Sequence, residues 1–122
     1  MNRSFIERIV DDSTTGQIKP SQEVLENLAK QLVEDIEDKG YPEFVKGTYD
    51  YEDPKTGITF SLDSYVFPYT TEVAAPDGKW TELTKIVPVE VKLLAFDSEG
   101  EDQPVDFSFK DIESILKGYY RV

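Results

Sequence analysis

The side chains able to do chemistry in this chain are almost all carboxylates: 25 Asp and Glu stand against 13 Lys and Arg, with no His and no Cys. Without Cys there is no thiolate nucleophile, no disulfide, no zinc–thiolate site and no iron–sulfur cluster. Without His, the commonest general base is gone, and so is the commonest ligand of zinc, copper and haem iron. What stays available is oxygen chemistry. A carboxylate pair can act as general acid and base, and hard oxygen ligands can gather calcium or magnesium.

Each of these chemistries leaves a pattern to look for. Asp97, Glu99, Glu101 and Asp102 crowd around Gly100. An EF-hand, though, spreads its ligands over about twelve residues and closes on a Glu. We read the stretch as a solvated turn and expect no metal. No motif singles out one acidic pair from the 25 acidic residues, so no catalytic residue is assigned. Asp53-Pro54-Lys55-Thr56-Gly57 holds a Lys-Thr pair without the flanking glycines of a phosphate loop, and reads as a hairpin turn. The nucleophile elbow G-x-S-x-G does not occur. A Ser–Lys dyad needs no His, but nothing marks one. The expectation is a chain without catalytic or cofactor-binding residues.

Charge narrows the partners. A net charge of −12 repels phosphate backbones and anionic lipid headgroups and draws in basic protein surfaces. The expected partner is a protein with a basic surface, not nucleic acid and not a membrane. No apolar run approaches the roughly 18–20 residues needed to span a bilayer. Residues 1–8 contain no apolar signal core, so the expected location is cytoplasmic.

The elements that must position these groups follow from periodicity. The 122 residues fit one domain. Residues 1–19 read as a loosely packed arm: Ser4-Phe5-Ile6-Glu7 has capping-box spacing, and Phe5, Ile6, Ile9 and Val10 share one helical face. Pro20 and Ser21 then open a long amphipathic helix over 22–38. Val24, Leu25, Leu28, Leu32 and Ile36 form its stripe, and Gly40 stops it. Period two takes over at Val45, Gly47, Tyr49 and Tyr51, and returns after the 53–57 turn at Ile58, Phe60 and Leu62. Pro68 and Pro88 imply bends in two long strands joined at Ala75-Pro76-Asp77-Gly78. Val87, Val89, Val91, Leu93 and Ala95 share one face by strict alternation. Phe107, Ser108, Asp111 and Ile112 announce a last helix by capping box and staple.

The predicted fold is α+β. A curved antiparallel sheet of three to four strands packs against the long helix and a C-terminal helix, in the order helix, helix, strands, helix. Leu25, Leu28, Leu32 and Ile36 are expected to pack on Phe60, Leu62, Val89, Val91 and Leu93. The part of this order from the long helix onward resembles the double-stranded-RNA-binding domain in topology. The charge has the opposite sign, however, and the last helix offers only Lys110 and Lys117, so no residue role carries over.

Two surface features remain as candidates. One is the acidic side of the long helix, with Glu34, Asp35, Glu37 and Asp38. The other is the tyrosines of the strands, Tyr49, Tyr51, Tyr65 and Tyr69. Exposed tyrosine buries much area for little rotamer entropy, which suits an interface. The reading is a non-enzymatic acidic protein-interaction module, in a sharper version an inhibitor or nucleic-acid mimic of a mobile element. The alternative is a carboxylate-dependent enzyme or small-ligand binder with its pocket between helix and sheet.

Overall fold

Ser21 starts the long helix as its sequence position suggests. In the computed structural model, which describes residues 17–120, the Ser21 side chain accepts a bond from the Val24 amide and caps α1 (Gln22–Asp38). The far end closes on Gly40, whose φ of 74° is the left-handed value that glycine adopts without penalty. The Gly40 amide donates to the Glu37 carbonyl at 3.0 Å and the Tyr41 amide to the Ile36 carbonyl at 3.0 Å. These two bonds satisfy carbonyls that the helix end would leave orphaned. The expected helical face Phe5–Val10 of the arm lies outside the described residues.

Four antiparallel strands follow, β1 (Val45–Glu52), β2 (Thr59–Ala75), β3 (Gly78–Phe96) and β4 (Asp102–Gln103), hydrogen-bonded in sequence order. The chain then enters α2 (Phe109–Leu116) and a 3-10 turn over Lys117–Tyr119. The α2 N-terminus is held by the Ser108 amide donating to Asp111 Oδ2 at 3.0 Å. Gly57 turns the first hairpin at φ 76°. The buried Asp53 carboxylate accepts from the Lys55 amide at 3.0 Å and the Thr56 hydroxyl at 3.2 Å. The Lys-Thr pair therefore serves the turn.

Both helices pack on one face of the sheet and share one core. Leu28, Leu32 and Ile36 from α1 meet Phe60, Leu62 and Val66 from β2, with Ile112 and Leu116 from α2. Burying each such side chain contributes about 1.5–3 kcal/mol.

One expectation about this core is corrected. Val89 is 50 % exposed, while Leu83 and Ile86 are buried at 5 % and 1 %. Register decides this. Tyr65 pairs with Glu90, but Val66 pairs with Pro88, so Val89 has no partner. A second shift lies between Tyr69 and Thr70, where Thr84 is left over. Each extra residue turns the alternation over. Strict period two therefore fails across 83–91, although Leu93 and Ala95 stay inside as expected.

Candidate interaction surfaces

The apolar stripe of α1 turns inward as a consequence of its spacing, so its charges turn outward. Glu26, Lys30, Glu34, Glu37 and Asp38 are exposed. Asp35 is different. It is half-buried, and its Oδ2 accepts from the Tyr49 hydroxyl at 2.6 Å and from Lys39 Nζ at 3.1 Å. Tyr49 lies on the helix-facing side of β1, only 8 % exposed, and its ring extends over Gly47. A methyl group at Gly47 would come within 2.5 Å of the Tyr49 hydroxyl. Burial, reinforced by the hydrogen bond and charge of Asp35, pushes the Tyr49 hydroxyl well above the ordinary tyrosine range. Two residues further along β1, the Tyr51 hydroxyl donates to Glu23 at 2.6 Å, and that bond raises its pKa. Gln31 adds a bond to the Asp50 carbonyl at 2.8 Å.

These three side-chain bonds fasten β1 to the flank of α1. Tyr49, Tyr51 and Asp35 are thus engaged within the fold, whereas Glu34, Glu37 and Asp38 point to solvent. A hollow of about 340 Å³ lies between this part of the helix and β1, lined among others by Glu34, Asp38 and Thr48.

The other two tyrosines belong to the opposite side of the sheet. Tyr65, Phe67 and Tyr69 alternate on the face of β2 that turns away from the helices. Tyr65 and Phe67 rings sit 5.8 Å apart, and Phe44 meets Tyr65 edge-on at 5.8 Å. Lys46 Nζ lies 4.7 Å above the Tyr65 ring, a cation–π contact. Across the ladder, Asp63 pairs with Lys92, Tyr65 with Glu90, Phe67 with Val87 and Tyr69 with Lys85. Lys92 and Glu90 approach to 3.6 Å. Phe44 is 49 % exposed, Tyr69 54 % and Leu94 47 %. Among the described residues no layer covers this face.

The i, i+2 spacing of Tyr65, Phe67 and Tyr69 was a sequence signal for one shared face. The joining of Phe44, Lys46, Val87 and Lys85 to that face was not, because it depends on strand register.

The acidic loop over residues 97–102 organises itself. Asp97 Oδ1 accepts from the amides of Glu99 at 2.9 Å and Glu101 at 3.0 Å, and its Oδ2 accepts from Gln103 Nε2 at 3.0 Å. This carboxylate caps its own turn and leads the chain into β4. Among the described residues no three acidic side chains converge as a metal-ion cage, and no helix is long and apolar enough to cross a membrane. No protein family, curated protein or solved structure matches the chain.

Proposed function

We infer that this chain is a non-enzymatic protein-interaction module whose acidic helix face docks on a basic protein surface, as an inhibitor or nucleic-acid mimic would. The observation that carries this reading is the separation of charge from core on α1. Glu34, Glu37 and Asp38 stand exposed on the outside of a helix whose inner residues Leu28, Leu32 and Ile36 are at most 1 % exposed. The backbone that carries these carboxylates is a rigid helix, so binding needs no backbone ordering there. The overall charge of −12 steers encounter with a positive surface.

The space between helix and sheet also bears on the choice. Leu28, Leu32, Phe60 and Leu62 fill its core, each at most 2 % exposed, so the hollow beside Thr48 is an open groove at the α1–β1 edge and not an enclosed cavity. That supports a docking surface over an enclosed ligand pocket. The experiment is capture of the partner from the source organism, then its association rate across a salt series. The expected rate falls steeply as salt rises, because the Debye length shrinks from about 10 Å at 0.1 M to about 3 Å at 1 M. A flat profile, or tight binding of DNA or RNA at physiological salt, overturns the reading.

A further inference from the structure

We propose that the outer face of the sheet, centred on Phe67, is the contact between two copies of this chain, packed face to face about a two-fold axis.

Three observations carry the choice of a second copy. The first is exposure. Phe44, Tyr69 and Leu94 are each roughly half exposed, at 49 %, 54 % and 47 %, on a sheet whose other face holds both helices. With the partly covered Tyr65 and Phe67 rings, the apolar area on offer is on the order of 400 Å². That matches the largest patch of a typical monomer, and a polar rim extends it toward the ~800 Å² per partner of a standard interface.

The second is charge. Most of this molecule repels its own copy. Beside the outer aromatics, however, Lys46, Lys85 and Lys92 accompany Asp50, Glu52, Asp63 and Glu90. This is a mixed patch on a strongly acidic chain, so it can face itself without the repulsion that the α1 face would meet.

The third is the register. Relative to the Phe67–Val87 row, the Tyr65–Glu90 row lies two β2 residues to one side and the Tyr69–Lys85 row two residues to the other. The bulge at Val89 makes the β3 side match, although Glu90 is three residues from Val87 in sequence. A two-fold axis lying between the sheets, across the strands and over Phe67, reverses the strand direction. It sets Phe67 against Phe67 and Tyr65 against Tyr69. It also sets Lys85 of each copy against Glu90 of the other, twice over. Two twisted sheets pack in this way at about 30°. The acidic helices then point outward from both ends of the pair, free for a basic partner.

The test uses the full-length chain in sedimentation equilibrium, with circular dichroism to confirm that each variant is folded. A dimer is expected. Its affinity should rise with salt, because two chains of −12 each repel at long range while the contact itself is mixed. Lys85→Glu alone and Glu90→Lys alone should each raise the dimer Kd at least about tenfold, since each places like charges opposite one another. Combining the two should restore affinity to within about threefold of the parent, because the cross-interface pairs are then re-formed in reverse. Phe67→Asp should raise the Kd about a hundredfold or more by putting a charge at the centre. A chain that stays monomeric up to about 1 mM overturns the proposal. So does a dimer indifferent to Phe67→Asp, or one in which the two charge swaps simply add.

Discussion

Tyr49 shows how much one residue can depend on another. Its ring occupies the space that Gly47 leaves open, and its hydroxyl ends on Asp35 of the helix at 2.6 Å. Tyr49→Phe should cost about 1–2 kcal/mol in chemical denaturation, because a charged acceptor loses its donor in a part-buried site. Gly47→Ala should cost about 1–3 kcal/mol by driving a methyl into the tyrosine. The two changes touch the same atoms, so their combination should cost less than the sum of the singles. The pH dependence has a definite sign. The folded pKa of Tyr49 lies above its unfolded value near 10. Above pH 10 the unfolded chain gives up a proton that the folded chain keeps, so stability is full below pH 10 and falls as pH rises beyond it. Tyr49→Phe should remove part of that alkaline slope, measured as melting temperature between about pH 9 and 12. An unchanged slope would mean that another group dominates.

At the scale of elements, the two register shifts decide which β3 residues belong to the core. Ile86→Ala should cost about 2–5 kcal/mol as a buried truncation, and Leu28→Ala on α1 about the same. Val89→Ala should stay within about 0.5 kcal/mol, since Val89 is 50 % exposed at the bulge. A large loss at 89 beside a small one at 86 would show that β3 keeps strict alternation after all. The shifts and Pro88 also have a protective use. β3 is 19 residues long but pairs on its outer side only through Ala95 and Phe96 with β4. A long flat edge invites pairing with another chain, and bulges, proline and lysines such as Lys79 and Lys85 discourage it. The proposed contact between copies therefore uses the face of the sheet and leaves its edge alone.

At the scale of the whole molecule, the acidic side of α1 and the aromatic face of the sheet lie on opposite sides. The helix layer presents Glu34, Glu37 and Asp38, and the sheet presents its aromatics with Lys46, Lys85 and Lys92. Reversing Glu34 and Glu37 together to Lys should lower the association rate with the proposed basic partner and flatten its salt dependence. The melting temperature should barely move, because exposed charges contribute little to folding. The measurement is stopped-flow association beside a thermal scan. The opposite pattern, an unchanged rate with a large loss of stability, would place these carboxylates in the fold and not at the docking surface.

By itself the sequence determined the α+β class, the span and cap of α1, the 53–57 turn, the tight join at residues 75–78 and the capping of α2. These are local: a stripe repeating every three or four residues, a serine before it, a glycine after it and proline in a turn fix backbone geometry within a few residues of themselves. It also determined the absence of His and Cys chemistry and the sign of the field. Tertiary structure alone decided that Tyr49 and Tyr51 bind the helix while Tyr65 and Tyr69 face the other way. It decided that Asp35 is engaged while Glu34 is free, and that Val89 leaves the core to Ile86. Parity along a strand assigns residues to one of two faces, but which face meets the helix depends on where hydrophobic area is buried. A single unpaired residue exchanges the two faces for everything beyond it. That exchange depends on pairing between residues some twenty positions apart, such as Tyr65 with Glu90 and Val66 with Pro88, and no local pattern carries it.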